Sequence, residues 1–245
     1  ETALERDPKN IPALVGLAVV FDRTDRGDRA LETLQRAAAL APENAEVLFN
    51  LGALYDRRGA GDQAAEAYER AAAADPQHAD ARFYLGLLYE RQGKAAAAVK
   101  ALNEAAALRI DRPEIYKALG AVYQKLGDLD KSELAFRKAA NLDPNDTAVK
   151  VDLGAVLIGK RQEGLAVEEL RKVVAAAPDN SRAHGVLGWA YLELGQYKEA
   201  EGELRRAIEL DAGNVAARNN LAVLYQRQGR RDVTRIQFDC APQFP

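Results

Sequence analysis

The sequence repeats itself every 34 residues, and this period sets the kind of fold it can adopt. Leu recurs at one place in seven successive segments: Leu17, Leu51, Leu85, Leu119, Leu153, Leu187 and Leu221. A small residue follows each of them: Ala18, Gly52, Gly86, Gly120, Gly154, Gly188 and Ala222. No insertion or deletion breaks the register. A fixed period predicts a row of identical supersecondary units rather than a domain around one central core.

The repeating positions define two helices in each unit. If Ile11 is position 1, then positions 4, 7, 8 and 11 lie on one face of a helix with 3.6 residues per turn. Positions 20, 24 and 27 form a second apolar stripe. Turn residues near position 15 and prolines at position 32, such as Gly93 and Pro76, separate the helices. We expect the small residue at position 8 to let the second helix approach the first closely.

This pattern resembles the signature of the tetratricopeptide repeat (TPR), a helix-turn-helix of 34 residues. The resemblance covers nearly the whole chain. It implies an all-α fold, a right-handed superhelical α-solenoid of antiparallel helix hairpins. Full repeats are predicted at 11–44, 45–78, 79–112, 113–146, 147–180 and 181–214. Residues 1–10 are predicted to end a truncated repeat, and 215–245 to form a last repeat with a shortened second helix and a tail.

The resemblance implies that the first helix of each hairpin lines a concave groove through positions 2, 5, 9 and 12, with 6 and 13 at its margins. The side chains predicted to contact a partner there are Phe49, Asn50, Phe83, Tyr84, Leu87, Lys117, Val151, Ile158, Val186, Trp189, Leu192, Asn219 and Asn220. Basic side chains at the groove edge are Arg57, Arg91 and Lys125. Trp is a frequent interface anchor, and Trp189 is the only one in the sequence. We therefore expect a protein or peptide partner, either an extended or an amphipathic helical segment.

These residues also have structural interpretations. Acidic groups at helix starts and basic groups at helix ends complement the helix macrodipole without any ligand. Trp189 could instead pack against a neighbouring hairpin. At the level of function, an adaptor or scaffold is favoured. The alternative is a structural or localising arm of a larger protein that docks intramolecularly or associates with itself end to end, because neither end of the chain resembles a polar capping helix.

Two ligand modes of the resembled family are not predicted here. The mode that holds a terminal carboxylate needs Asn at position 9 after Lys at position 5, whereas Lys117 is followed by Ala121. The other mode requires Asn at position 6 of successive repeats, and here only Asn50 and Asn220 occupy that position. The adjacent amide of Asn219 could still hydrogen-bond a peptide backbone together with Asn220.

The sequence predicts no catalytic site, metal site or cofactor. His78 and His184 lie three repeats apart, and Cys240 has no neighbouring His. The segment 22–27 superficially resembles a calcium loop, but Arg26 stands where an oxygen ligand is needed. The net charge of -3 gives no basic excess that would favour nucleic-acid binding. No apolar run is long enough to predict membrane insertion. The single Cys fits the cytoplasm, and a bacterial periplasm stays open.

Overall fold

The computed structural model describes residues 2–230, and every regular element in this range is an α-helix. By their contacts the residues divide into two compact units, residues 1–122 and 123–245. Unit 1 contains α1 Thr2–Arg6, α2 Ile11–Arg23, α3 Gly27–Leu40, α4 Ala45–Arg57, α5 Gly61–Ala74, α6 Ala79–Arg91, α7 Ala95–Leu108 and most of α8 Pro113–Lys125. Unit 2 contains the end of α8, α9 Leu129–Leu142, α10 Thr147–Gly159, α11 Glu163–Ala176, α12 Ser181–Glu193, α13 Tyr197–Leu210 and α14 Val215–Arg227.

Consecutive helices pair as hairpins. In unit 1, α2 packs against α3, α4 against α5 and α6 against α7; in unit 2, α10 packs against α11 and α12 against α13. The first helices also touch their counterparts in the next hairpin, as α4 touches α6 and α12 touches α14. The all-α solenoid of tandem hairpins is therefore confirmed as the fold class. The bounds of the individual repeats stay a prediction. No helix among the described residues is both long and apolar enough to cross a bilayer.

The core of each unit is built from the repeating apolar positions. One cluster in unit 1 joins Leu14, Ala18, Ala30, Leu34, Ala37, Val47, Leu51, Leu54 and Ala67 from four successive helices. One in unit 2 joins Leu192, Ala200, Leu204, Ala207, Ala217, Leu221, Leu224 and Tyr225. Each cluster spans more than one hairpin, because a single hairpin has too little apolar surface to bury its own stripe.

Small residues at position 8 admit the second helix of the hairpin. A Cβ added to Gly188 would lie 2.6 Å from Cγ of Leu204, and one added to Gly154 would lie 2.8 Å from Cγ of Leu170. Real Cβ atoms do not come so close to a packed side chain. The leucine at position 24 thus occupies space that any larger residue at position 8 would need.

The turn inside each hairpin uses a left-handed backbone conformation. Gly adopts it with φ between 72° and 76° after five of the first helices, at Gly59, Gly93, Gly127, Gly195 and Gly229. Two hairpins lack Gly at this place, and there Asp25 (φ 58°) and Arg161 (φ 61°) adopt the same conformation. Residues with a Cβ are disfavoured in this region, so these two turns are strained relative to the other five.

In several predicted repeats the last residue caps the next helix. The side chains of Asn44, Asp146, Asn180 and Asn214 accept a hydrogen bond from the backbone N–H three residues on. His78 does the same through its Nδ1, which accepts from the N–H of Ala81 at 3.1 Å. Predictions about Cys240 and the second helix of the last repeat lie outside the described residues.

Candidate partner-binding surface

The first helices of unit 2 present a mixed apolar and amide surface, which we call the unit 2 face. It consists of Arg182, Val186 and Trp189 on α12 and Asn219 and Val223 on α14. The three α12 residues follow the spacing i, i+4, i+7, which places them along one side of the helix. Val186 and Trp189 are partly exposed, whereas Asn219 and Val223 are exposed. Because α12 packs against α14, the two rows lie side by side.

Polar groups lie within the unit 2 face and beside it. The guanidinium of Arg182 forms an ion pair with the carboxylate of Asp152 on α10, the preceding first helix. Asn220 is only partly exposed, next to the exposed Asn219. The face thus combines an indole, aliphatic side chains and the exposed side-chain amide of Asn219. This combination suits a peptide, which offers both apolar side chains and backbone hydrogen-bonding groups.

Three aliphatic residues predicted to line the groove of unit 2 are buried instead. Val151 is fully buried, and Ile158 and Leu192 keep 3% and 1% of their surface. Helix α10 has neighbours on several sides, since it packs against α9, α11 and α12. Helix α12, which carries Leu192, likewise packs against α10, α11, α13 and α14. Apolar side chains at these groove positions are therefore enclosed between helices, and burial stabilises them there. The prediction that these three contact a partner is wrong.

An aromatic cluster in unit 1 joins the first helices α4 and α6 with the second helix α5. The ring of Phe49 has its centroid 5.8 Å from that of Tyr68 and 5.7 Å from that of Tyr84. The rings of Tyr68 and Tyr84 are stacked at 6.2 Å. Tyr84 keeps 37% of its surface exposed, while Tyr68 is buried, and burial raises the pKa of its phenol well above the usual range. Tyr84 is thus the open end of an otherwise packed group of rings.

The side chains at the end of two repeats cover the rings at position 5. The guanidinium carbon of Arg112 lies 4.8 Å from the ring centroid of Phe83, and the imidazole of His78 lies 4.9 Å from that of Phe49. Phe83 keeps only 6% of its surface. The prediction that Phe83 is open to a partner is therefore wrong, because a side chain of the same repeat occupies that place.

The other predicted residues of unit 1 remain at least partly accessible. Asn50 donates from Nδ2 to the backbone oxygen of Glu46 at 2.8 Å and to its carboxylate at 3.1 Å. Leu87 and Lys117 are partly exposed. Asn50 is therefore held in place by the acid at position 2 of its own helix.

The basic row at position 13 joins neighbouring hairpins. Arg57 pairs with Asp22 at 2.5 Å, and Arg91 pairs with Asp56 in the same way one repeat later. Each pair links successive first helices of unit 1. Lys125, the corresponding residue of α8, is exposed. The sequence pattern revealed the basic row but not its acidic partners at position 12, although Asp22 and Asp56 recur with the same period.

Both histidines are held by contacts within the fold: His78 caps α6, as described above, and His184 is hydrogen-bonded. His184 is buried, and its ring nitrogens lie 2.6 Å from Oε2 of Glu203 and 3.1 Å from the backbone oxygen of Pro178.

The pKa of the Tyr89 phenol is raised to about 12, first by desolvation and then by its hydrogen bond to Glu69. Among the described residues no three His, Cys, Asp or Glu side chains are grouped so that they could hold a metal ion.

These features together define a class: proteins built from tandem helix hairpins that stack in a row. The family model for the tetratricopeptide repeat matches residues 13–236, and the chain belongs to this family. Proteins of this family generally mediate protein–protein interactions and are generally non-enzymatic scaffolds.

The comparisons with individual proteins agree with this assignment. Heat shock protein STI1 of Saccharomyces cerevisiae is 36% identical over 66 residues, which are 27% of this chain and 11% of STI1. The structure of PilF from Pseudomonas aeruginosa is similar with a TM-score of 0.71 at 18% identity, over 91% of this chain and 99% of PilF. YrrB, described as a TPR protein with an unusual peptide-binding site, has a TM-score of 0.68 at 21% identity, over 76% of this chain and 96% of YrrB. At these identities the two structures show the fold alone.

Proposed function

We propose that this chain is an interaction scaffold that binds a segment of a partner polypeptide on the first helices of its hairpins. The observation that carries the proposal is the unit 2 face, where the partly exposed Val186 and Trp189 of α12 and the exposed Asn219 and Val223 of α14 lie on two helices that pack against each other. Nothing in the repeat core requires a tryptophan at position 9, since its counterparts Leu87 and Ala155 are small or aliphatic. A partly exposed indole with amide neighbours is a typical anchor for a peptide.

The peptide-binding site named for YrrB supports the same type of ligand, because that protein shares the fold. In unit 1 we extend the proposal to Tyr84, Leu87, Asn50, Lys117 and the accessible part of Phe49. The residues Asn220, Arg57, Arg91 and Lys125 would border the bound segment. An extended or amphipathic helical segment fits the apolar character of the unit 2 face.

A peptide library panned against the whole chain would test the proposal. The selected peptides should shift the emission of Trp189, which is the only Trp in the sequence and so reports on this face alone. Trp189→Ala and Val223→Glu should each weaken the selected peptides at least about tenfold, as expected for an interface anchor. Leu134→Ala is the matched control, because Leu134 is 71% exposed on the second helix α9 of the same unit. Equal affinity for the control and for both face variants would refute the assignment.

A further inference from the structure

The unit 2 face carries positive charge, although the chain as a whole is acidic. The helices α12 and α14 together contain one acidic residue, Glu193, and three arginines, Arg182, Arg218 and Arg227. The Glu193 side chain is only 20% exposed, and it forms an ion pair with Arg227. The net charge of the whole chain is -3. The sign of the charge at this face is therefore opposite to that of the molecule.

Arg182 is the charged residue of this face, and most of its hydrogen-bond donors are open. Its side chain is 57% exposed, whereas the side chain of its partner Asp152 is 19% exposed. The pair joins Nη2 of Arg182 to Oδ1 of Asp152, and the guanidinium makes no other hydrogen bond among the described residues. A guanidinium has five N–H donors, so Arg182 can bind a second carboxylate while it keeps the first.

The guanidinium and the apolar part of the face are set at a defined spacing. Arg182 and Trp189 lie on one side of α12, about two turns or about 10 Å apart along the helix axis. In an extended peptide with three residues per turn, residues three apart share one side and are separated by about 9 Å. One peptide can therefore seat an apolar side chain against Trp189 and Val223 and place a carboxylate against Arg182.

We propose that the unit 2 face binds an acidic peptide segment in which an apolar residue is flanked by Glu or Asp. The proposal rests on the proposed function and adds the ligand class for this site. The apolar residue contributes buried area, the carboxylate pairs with Arg182, and the amide of Asn219 hydrogen-bonds the peptide backbone. A basic segment would bring a second positive charge beside Arg182, and neither α12 nor α14 offers an exposed acid to pair with it.

The test uses the whole chain and fluorescein-labelled peptides with a central Phe and a Glu three residues to either side. Matched peptides replace both Glu by Gln or by Lys. Binding is measured by fluorescence anisotropy and by the emission of Trp189, at about 50 and about 300 mM salt. We expect the Glu peptide to bind at least about threefold more tightly than the Gln peptide, with Lys weakest, and the differences to shrink at the higher salt.

The net charge of the chain predicts the reverse order, since an acidic molecule attracts the Lys peptide and repels the Glu peptide. Equal binding of the Glu and Gln peptides, or tighter binding of the Lys peptide, would overturn the proposal.

A pair of charge-matched variants locates the binding. Arg182→Gln should abolish the preference for the Glu peptide over the Gln peptide. The control is Arg171→Gln, which removes the same charge from an exposed position of the second helix α11 in the same unit. Equal losses of the preference in both variants would show that it does not arise at Arg182, and would overturn the assignment to this face.

Asp152→Asn gives a second measurement in which the arginine is retained. With the competing carboxylate gone, Arg182 should bind the Glu peptide about twofold more tightly or better. The control Glu168→Gln removes the same charge from α11 and should change the affinity less. An affinity for the Glu peptide that is unchanged or lower in Asp152→Asn would contradict a direct contact with the guanidinium.

Trp189→Ala separates the failure of this inference from the failure of the proposed function. If the three peptides bind alike to the wild type and all weaken in Trp189→Ala, the unit 2 face binds peptides without regard to charge. The ligand class is then wrong, while the proposed function stands. If none of the three peptides binds, the inference is wrong, and the peptides selected by panning test the proposed function independently.

Discussion

The ring of Tyr68 lies against the backbone of Gly52 so closely that a Cβ at Gly52 would come within 2.7 Å of its Cδ1 atom. Tyr68 is buried and packed against other rings, so it has no space into which to move. We expect Gly52→Ala to lower the free energy of unfolding by about 1–3 kcal/mol, as overpacked cores do. Urea unfolding followed by circular dichroism measures the change.

Gly16→Ala is the control for that substitution. Gly16 stands in the interior of α2 of the same unit, and an added Cβ would meet nothing within 4 Å. Alanine there should raise stability by about 0.5–1 kcal/mol, because it restricts the unfolded chain and favours the helix. A similar loss of stability in both variants would contradict the view that contact with Tyr68 selects glycine at position 52.

The strained turn at Arg161 can be relieved by glycine. Arg161 has φ 61°, and its side chain is 81% exposed, with one long ion pair of 3.8 Å to Glu193. We expect Arg161→Gly to stabilise the protein by up to about 1 kcal/mol, because the strain removed exceeds the loss of an exposed ion pair. The reverse change at an equivalent turn, Gly195→Ala, should destabilise by about 1–2 kcal/mol. Thermal unfolding of the two variants should shift in opposite directions, and a common direction would refute the argument.

His184 and Glu203 should behave as one energetic unit. The imidazole is buried between the Glu203 carboxylate and the backbone oxygen of Pro178. We expect His184→Ala to cost about 1–3 kcal/mol, since it removes the ring N–H donor from a partly buried acceptor and leaves a cavity. Once the imidazole is gone, Glu203→Ala should cost less than it does in the wild type. A double-mutant cycle by urea unfolding measures this coupling, and additive losses would show that the 2.6 Å contact contributes no specific stability.

Glu133 should make the stability of unit 2 depend on acid pH. Its carboxylate accepts hydrogen bonds from Lys160 and from Arg137, each at 2.7 Å, and these bonds, with that from Lys160 the larger, hold its pKa below the usual value. The pairing therefore stabilises the fold above the pKa of the unfolded chain, about 4.3, and this contribution is lost as the pH falls through the lower folded value. Glu133→Gln should be less stable than the wild type at pH 7, with a difference that shrinks at about pH 3.

Glu168→Gln is the comparison for Glu133→Gln, since Glu168 is 64% exposed and pairs with Lys172 within one helix. Its effect on stability should be small at both pH values. Urea unfolding at the two pH values provides the measurement. A wild-type advantage over Glu133→Gln that is the same at both would show that the carboxylate charge is not what stabilises the fold.

The sequence was sufficient to predict the packing inside a hairpin. The small residue at position 8 recurs seven times and predicted a close approach of the second helix, which the contact of Gly188 with Leu204 confirms. The turn at Arg161 was not marked by glycine, yet it adopts the same backbone conformation because the two flanking helices fix its geometry. Packing that depends on the size of one repeated residue could therefore be predicted from the sequence, whereas the backbone conformation of Arg161 could not.

Accessibility was harder to predict than packing. Val151 and Ile158 occupy groove positions by number, but both are aliphatic and lie on a helix with neighbours on several sides. The position in the repeat fixes only approximately the direction in which a side chain leaves the helix axis. For an aliphatic residue between the core face and the open face, the hydrophobic effect then favours burial. Trp189, by contrast, remains partly exposed.

In the contact between Arg112 and Phe83, the linker residue at position 34 limits the exposure of the ring at position 5. His78 holds the equivalent place over Phe49. Exchange of the residue at position 34 should therefore change how much of an aromatic ring stays exposed on the first helices. His78 also caps α6, so a substitution there would affect the start of that helix as well. The connecting segments of the repeats thus help to shape the surface that the first helices present.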